Sequence, residues 1–266
     1  MHNFFQKNTK AIIGMIHCLP LPGTVKFNGD LQKVRDQALN DAHTLAMAGV
    51  HAIMIENMGD EPYGITMQLE QVTSMCAIAE LIKNSVDLPL GIDCAFSDYR
   101  SALAIAKAVG ADFVRIPVYV DTVIFSDGIA YPCAHDAQLY RKKIGAEDVL
   151  IMADLQVKHT YMLSDKISLI DSYHLAVSNG ADAVIVTGKV TGSATSTNEL
   201  KAIKDIAQVP VYVGSGVNKN NIMEQLAIAD GVIVGSSLKP HGDVSLPVEL
   251  KLTKELLSAA FAEKGE

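Results

Sequence analysis

The sequence predicts one α/β domain in which eight parallel β-strands alternate with α-helices and close into a (β/α)8 barrel, the TIM barrel. Two observations support this prediction. Eight short apolar segments alternate with helix-length amphipathic segments, and the junction between helix and strand recurs in similar form. The length agrees, because 266 residues is usual for such a barrel and close to the upper limit for one hydrophobic core. Residues 1–266 are therefore predicted to form a single domain.

The eight apolar segments are rich in Val, Ile, Leu and Met along their whole length. This pattern is typical of strands that are covered on both faces, as they are in parallel sheets, rather than of strands with one face in water. In chain order, the segments are residues 11–17, 51–57, 89–95, 112–118, 149–157, 182–188, 209–214 and 231–236.

The segments between the strands have the caps expected of helices. Residues 30–49, 98–110 and 165–180 each begin with Asp and end with Gly, which are favoured at the N-cap and just after the C-cap. The junctions that follow helices recur as MAGVHAIMI, AVGADFVRI, SNGADAVIV and AIADGVIVG. This recurrence indicates one βα unit that is restated along the chain.

Composition indicates a compact globular protein, since 49% of the residues are hydrophobic and 20% are charged. The net charge of −8 argues against binding to nucleic acid or to an anionic membrane surface. The four scattered cysteines contain no CxxC pair and are interpreted as reduced thiols. The first residues lack a signal-peptide pattern, and no long uncharged apolar segment occurs. We therefore expect a soluble, cytoplasmic protein without membrane insertion.

The connections after strands are longer than those after helices. The long ones are residues 18–30, 58–66 and 119–135, whereas helix-to-strand links take only a few residues. In a barrel, all strand-to-helix connections lie at the C-terminal end, where barrel enzymes carry their active sites. Within the third connection, Ser-Asp-Gly at 126–128 suits a tight hairpin. That hairpin is interpreted as a lid, a subunit contact in a homodimer or higher homo-oligomer, or a variable surface loop.

Two glycine–serine loops follow the seventh and eighth predicted strands, which are neighbours in a closed barrel. Loops at this place commonly bind phosphate through backbone N–H groups. The alternative is that the glycines only permit the turn from strand to helix. With the end of the sixth strand, the candidate phosphate-binding residues are Gly188, Gly214, Ser215, Gly216, Gly235 and Ser236. Lys189, which follows Gly188, belongs either to a loop that closes on an anion or to a polar linker.

The fifth predicted strand is the most polar of the eight. Regular alternation would place Asp154, Gln156 and Lys158 on one face, and burying such groups without purpose is costly. Asp154 is a candidate for proton transfer, and Lys158 is a candidate electrostatic clamp or amine nucleophile. The alternative is a structural Asp154–Lys158 pair inside the barrel.

Other polar side chains stand where strands end, at the rim that presents catalytic groups in a barrel. These candidates are His17, Glu56, Asp93 and Arg115. His17 is equally well read as a core histidine, and Arg115 as the partner of a nearby carboxylate. A divalent cation would suit the carboxylates of Glu56, Asp93 and Asp154 together with His17 or His159. No local metal-binding motif supports a cation, so no cofactor is firmly predicted.

Several motifs together resemble the BtpA/SgcQ family. They are GMIHCLPLPG (14–23), ENMGDEPYG (56–64), ADLQVKH (153–159), DAVIVTG (182–188), VGSGV (213–217) and DGVIVGSSLKPHGD (230–243), and the resemblance extends from about residue 10 to 255. It implies a barrel of the ribulose-phosphate-binding type. One branch of the family is associated with photosystem I biogenesis, and SgcQ-like members with bacterial carbohydrate-uptake genes and nucleosidase activity.

The chain departs from this family in two places. Members carry an Asn-containing LRND stretch after the third strand, where this chain has DCAFSDYR (93–100), and RVN after the fourth, where it has Arg115-Ile116-Pro117. Asp98 matches the acidic position of the first motif. If the missing Asn residues bind substrate in other members, this chain handles a different one.

These observations favour an enzyme that acts on a small phosphorylated sugar or nucleoside-like compound at the C-terminal end of the barrel. Isomerisation, retro-aldol cleavage and cleavage of an N-glycosidic bond all stay open. The alternative is a non-catalytic assembly or stability factor of the BtpA type, whose long loops bind another protein. The abundance of polar residues at the predicted barrel mouth favours the enzyme.

Overall fold

The computed structural model describes residues 5–188 and 195–261, and the predicted barrel is confirmed. Eight of the described strands are parallel and close in the order β1-β2-β3-β4-β7-β9-β10-β11. Each lies within one of the eight apolar segments. The strands are β1 (Ala11–His17), β2 (Ala52–Glu56), β3 (Leu90–Asp93), β4 (Phe113–Ile116), β5 (Val123–Phe125), β6 (Gly128–Ala130), β7 (Leu150–Leu155), β8 (Tyr161–Met162), β9 (Ala183–Val186), β10 (Val211–Val213) and β11 (Gly231–Val234).

Helices follow the barrel strands, and the predicted caps are confirmed for two of the three segments, whereas the helix within residues 165–180 is capped by Ser168 and Asn179. Asp30 and Asp98 accept backbone N–H bonds at the starts of α1 and α3, and Gly49 and Gly110 end these helices in the left-handed conformation. The described helices are α1 (Leu31–Ala48), α2 (Leu69–Lys83), α3 (Tyr99–Val109), α4 (Ala134–Lys143), α5 (Leu169–Ser178), α6 (Thr197–Ile206), α7 (Ile222–Ile228) and α8 (Leu250–Ala260).

The barrel interior is filled with apolar side chains from its N-terminal end upwards. Phe5 packs there between Phe113 and Tyr212, with ring centroids 5.6 and 5.8 Å away. All three side chains are buried, and the same cluster continues to Met15 and Ile233 near the other end. The interior is therefore a packed core that is closed at the N-terminal end, as expected for a barrel of eight strands.

The long connections lie at the C-terminal end, and one of them forms a small second sheet. The predicted hairpin is confirmed, because β5 and β6 pair antiparallel with Phe125 opposite Gly128. β8, from the connection after β7, adds a third strand beside β5, which the sequence did not predict. This three-stranded sheet stands at the rim next to β4 and β7.

Two further expectations concern the state of the cysteines and insertion into a membrane. All four cysteines are unpaired, and Cys18 and Cys94 are buried. Within the described ranges, the helices are too short or too polar to cross a membrane.

Candidate functional site

A row of four polar side chains crosses the C-terminal end of the barrel. His17 pairs in register with Glu56, Glu56 with Asp93, and Asp93 with Arg115. Residues that pair across parallel strands point to the same side of the sheet, so all four point into the barrel. The sequence placed each one at a strand end, and the strand register brings them together in one layer.

Arg115 binds two buried carboxylates in this layer. Its Nε and Nη2 donate to the two oxygens of Asp154, both at 2.8 Å, and its Nη1 donates to Asp93 Oδ2 at 3.2 Å. Burial lowers the pKa of Arg115, but the carboxylates of Asp154 and Asp93 outweigh burial and raise this pKa above its ordinary value. The expected alternative for Arg115, a pair with a nearby carboxylate, is therefore observed. Bidentate geometry of this kind fixes the guanidinium in position.

Asp93 keeps one oxygen without a partner. Among the described residues, no group donates a hydrogen bond to its buried Oδ1 atom. Burial raises the pKa of Asp93 well above its ordinary value, although Arg115 acts in the opposite direction. A buried carboxyl with a raised pKa and a free oxygen is a candidate proton donor.

Asp154 and Lys158 do not form the structural pair that was one interpretation of the sequence. Asp154 is completely buried and gives both oxygens to Arg115, so in this structure it positions the guanidinium. The Lys158 ammonium has no acceptor within the described residues, and the side chain lines the barrel mouth. Burial, and then Arg115, lower the pKa of Lys158. Lys158 is thus a cation that is available to a ligand.

The expectation that Gln156 shares a face with Asp154 and Lys158 is wrong. β7 ends at Leu155, and Gln156 has a positive φ of 48°, which breaks the alternation of the strand. Its side-chain amide donates to Ile167 O and Ser172 Oγ, away from the barrel mouth. The turn, held by a bond from the Gln156 N–H to Asp121, restores Lys158 to the inside.

His17 is buried and uncharged. Its Nε2 lies 3.6 Å from Glu56 Oε2, which is longer than a hydrogen bond, and its Nδ1 has no partner in the described part of the chain. Burial, followed by Lys239, Lys158 and Arg115, lowers the pKa of His17 to about 3. The contact with Glu56 is therefore not an ion pair. Glu56 keeps its carboxylate toward the barrel mouth, where it borders two compartments.

The inner compartment is a small cavity of about 50 Å³ between the two glycine–serine loops and the polar row. The backbone N–H groups of Ser215, Gly216, Ser236 and Ser237 have no acceptor among the described residues. Gly216 adopts a left-handed conformation with φ of 70°. The compartment is lined by Met15, His17, Glu56, Met58, Arg115, Lys158, Gly214, Ser215, Gly216, Val217, Ile233, Gly235, Ser236 and Val244.

Three of the predicted phosphate-binding glycines also have packing roles. A Cβ at Gly214 would lie 2.4 Å from Ile185 Cγ2, and one at Gly235 would lie 2.6 Å from His17 Cε1. The N–H of Gly188 donates to Ser215 Oγ at 2.7 Å, which ties the loop after β9 to that after β10. Five of the six candidates line the inner compartment, and Gly188 supports it from behind. Lys189 lies outside the described residues.

The outer compartment is larger, about 360 Å³, and has mainly apolar walls. The rings of Phe96 and Phe125 stack with centroids 4.3 Å apart and an interplanar angle of 16°. This compartment is lined by Glu56, Met58, Glu61, Tyr63, Asp93, Ala95, Phe96, Arg115, Pro117, Phe125, Ser126, Val157, Lys158 and His159. Its aromatic residues were not singled out from the sequence, because Tyr63 and Phe96 lie in irregular connections and Phe125 ends a strand of only three residues.

A buried lysine that the sequence did not single out supports the inner compartment. Lys239 Nζ lies 3.4 Å from Asp41 Oδ2 and donates to the carbonyl oxygens of Val244 and Leu246. Asp41 also accepts the N–H of Val248. Burial lowers the pKa of Lys239, while Asp41 acts in the opposite direction. This clamp holds the connection after β11 against α1 and places Val244 in the cavity wall. The only signal in the sequence was a lysine beside Pro240.

Asp98, which matches an acidic position of the family motif, has a structural role. Its Oδ1 accepts the N–H of Ser101 and its Oδ2 accepts the N–H of Met67. Asp98 therefore caps α3 and anchors the connection after β2, rather than facing either compartment.

The carboxylates considered as metal ligands surround an arginine instead. Arg115 supplies the positive charge between Asp93 and Asp154. In residues 5–188 and 195–261, no group of three or more His, Cys, Asp and Glu side chains is placed to hold a metal ion.

The fold and the position of this site define the class of protein. The chain is a (β/α)8 barrel whose polar residues gather at the C-terminal end. The thiamine phosphate pyrophosphorylase of Pyrococcus furiosus has a similar structure, with a TM-score of 0.57 over 96% of each chain at 16% identity. At this identity the similarity shows the fold alone.

The chain belongs to the BtpA family, whose model matches residues 8–262, so the resemblance seen in the motifs is confirmed. An uncharacterized protein of Thermococcus kodakarensis is 39% identical over 252 residues, covering 94% of this chain and 95% of the relative. The photosystem I biogenesis protein BtpA of Synechocystis is 35% identical over 241 residues, covering 90% and 83%. A relative also occurs in Caenorhabditis elegans, so the family is not confined to bacteria.

Proposed function

We propose that the protein is an enzyme that binds a small phosphorylated sugar or nucleoside-like compound at the C-terminal end of the barrel. The observation that carries this proposal is the set of unpaired backbone N–H groups at the two glycine–serine loops, opposite the available ammonium of Lys158. Backbone donors of this kind bind phosphate groups well, because they lose no side-chain entropy and cannot be neutralised.

The inner compartment is suited to an anion and not to a neutral group. Within the described residues, Ser215, Gly216 and Ser236 line the cavity with backbone N–H groups that have no acceptor, and Lys158 offers a positive charge that meets no protein acceptor. Leaving donors of this kind unpaired in a desolvated cavity is unfavourable unless a ligand or water accepts from them. A phosphate oxygen satisfies them and also pairs with the charge of Lys158.

Proton transfer is assigned to Glu56 rather than to Asp154. Both oxygens of Asp154 accept from Arg115, whereas Glu56 borders both compartments. A carboxylate at that border reaches a C–H or O–H bond of a ligand whose phosphate lies in the inner compartment. Lys158 and Arg115 lie where they stabilise negative charge that develops on the substrate, and Asp93 returns a proton. Isomerisation, C–C bond cleavage and N-glycosidic cleavage all use these groups.

The first experiment measures the binding of phosphate monoesters to the purified protein by thermal shift and by calorimetric titration, with the same sugars lacking phosphate as controls. We expect Lys158→Met to weaken binding of the phosphorylated compounds by about tenfold to a hundredfold, the usual effect of losing one charged hydrogen bond. Lys158→Arg keeps the positive charge and is expected to retain most of the affinity.

Lys219→Met is the matched control, because Lys219 forms an exposed ion pair with Glu255 and does not line the cavity. No thermal shift with any phosphorylated compound, or equal binding by the Lys158→Met variant, would refute the proposal. A turnover that survives in Lys158→Arg would show that Lys158 acts as a clamp and not as an amine nucleophile.

A second candidate function is a non-catalytic factor that binds another protein. One observation favours it: Ile124 pairs in register with Ile129 and Tyr161 on the outer face of the small sheet, and the exposed fractions are 40%, 40% and 79%. An apolar row of this kind is unusual on a surface that contacts only water. If this function is right, Ile124→Asp abolishes partner binding while phosphate binding is unchanged.

A further inference from the structure

We propose that the substrate carries a compact planar ring, aromatic or heteroaromatic, which occupies the outer compartment while its phosphate occupies the inner one. This inference rests on the proposed function, because it extends the ligand of the same site. It distinguishes a ring-bearing phosphate from a simple sugar phosphate, which would leave the outer compartment empty.

One wall of the outer compartment is flat and aromatic. Phe96 and Phe125 are stacked 4.3 Å apart and present a double aromatic layer, and Tyr63 adds a third ring to the lining. Flat rings gain most from other flat rings, because stacking combines close contact with release of water from both faces. A hydrated sugar gains little from such a wall, since its hydroxyl groups would lose water without finding partners.

The aromatic wall is held in place by the small sheet. Val118, Val123, Ala130 and Val157 form a buried cluster of their own, and Phe96 and Phe125 pack against it. Phe125 is the last residue of β5, so pairing between β5 and β6 fixes its backbone. A wall supported in this way is ordered before the ligand arrives, which lowers the entropic cost of binding a rigid ring.

Polar groups stand at the solvent edge of the same compartment. Glu61, Ser126 and His159 belong to the lining and are exposed, whereas the hydroxyl of Tyr63 already donates to Met58 O. The compartment thus has an aromatic wall, with polar groups at its solvent edge and at the end that it shares with the inner compartment. This arrangement suits a heteroaromatic ring, whose faces are apolar and whose edge carries hydrogen-bonding atoms.

The two compartments meet at shared residues, so one ligand can span them. Glu56, Met58, Arg115 and Lys158 line both cavities. The bond or carbon atom between the ring and the phosphate therefore lies beside Glu56 and Lys158, the two groups assigned to proton transfer and charge stabilisation. The ring then positions the reacting atoms, and its binding energy supports the chemical step.

The experiment compares three probes by calorimetric titration: ribose 5-phosphate, adenosine 5′-phosphate and adenosine. We expect adenosine 5′-phosphate to bind about tenfold more tightly than ribose 5-phosphate, which is the typical gain from stacking one base on aromatic side chains. Phe125→Leu keeps an apolar side chain and is expected to remove most of this gain, with the affinity for ribose 5-phosphate unchanged. Ile124→Ala, on the opposite face of β5, is the matched control and leaves both affinities unchanged.

The outcomes separate this inference from the proposed function. Equal affinity for ribose 5-phosphate and adenosine 5′-phosphate, or a gain that survives Phe125→Leu, overturns the ring inference and leaves the phosphate site intact. Binding of adenosine that depends on Phe125, without binding of either phosphate, supports the ring compartment and overturns the phosphate site. Binding of none of the three probes overturns both.

Discussion

The two compartments at the mouth of the barrel share Glu56, Arg115 and Lys158 but are built from different parts of the chain. In the inner one, the backbone of the loops after β10 and β11 lies opposite side chains of the polar row. The outer one is formed by side chains from the connections after β2, β3, β4 and β7. Backbone N–H groups can recognise an anion whatever the neighbouring side chains are, whereas an aromatic wall depends on particular residues. If the proposed function is right, the inner compartment anchors the phosphate and the outer one selects the rest of the ligand.

Arg115 lies on the border between the compartments, and its loss is expected to have the largest effect. Arg115→Met leaves Asp93 and Asp154 buried without their cation, which is expected to lower the free energy of unfolding by about 3–5 kcal/mol. Urea unfolding monitored by circular dichroism measures this change. The same variant should lose ligand binding in both compartments.

The control for this change is Lys107→Met, which removes the cation from an exposed pair with Asp148. Exposed pairs contribute only about 0–1 kcal/mol. If Arg115→Met costs no more than Lys107→Met, Arg115 does not hold the two halves of the site together.

A substitution at Gly235 has a smaller expected effect and tests the inner compartment alone. Gly235→Ala places a Cβ 2.6 Å from His17 Cε1, inside the inner compartment only. We expect a loss of about 1–3 kcal/mol in stability from overpacking, together with weaker binding of phosphate compounds. Gly64→Ala, in the outer half, is the control, because its Cβ meets Thr66 O at an ordinary 3.4 Å. Unchanged phosphate affinity in Gly235→Ala would mean that the ligand does not approach the loop after β11.

The smallest expected effect concerns His17 and pH. The pKa of His17 is about 3 in the folded protein, below its ordinary value, so the unfolded chain takes up the proton first as pH falls. Stability from the neutral imidazole is therefore present above the unfolded value of about 6.5 and is lost progressively down to the folded value. Between about pH 7.5 and about pH 5, wild-type protein should lose about 2 kcal/mol more than His17→Gln.

Urea unfolding of both proteins at each pH measures this difference. Other titrating groups contribute equally to both proteins and cancel in the comparison. An equal loss in wild type and variant would show that His17 is not held neutral by burial.

The fold was predictable because its signals are local and repeated. Each barrel strand lies within an apolar segment, and capping by Asp30 and Asp98 was visible in residue type and position alone. The small sheet was predictable only in part. The Ser-Asp-Gly turn indicated β5 and β6, but β8 is too short and too distant in sequence to carry a pattern.

The site was predictable in its residues and less so in its pairing. His17, Glu56, Asp93 and Arg115 were found as polar strand ends, yet only the register puts them in one row. Alternation along the fifth strand misplaced Gln156, because a positive φ after Leu155 resets the side-chain direction. The partner of Asp154 is Arg115, 39 residues away, and no local spacing reveals a contact of that kind.

The aromatic plug of Phe5, Phe113 and Tyr212 closes the barrel at the end opposite the site. A ligand that enters at the mouth of the barrel must therefore also leave by the mouth. If the reaction divides its substrate, the fragment in the outer compartment must depart before the fragment anchored beneath it. If the inner compartment holds the phosphate as proposed, the phosphate-bearing product leaves last and is a competitive inhibitor.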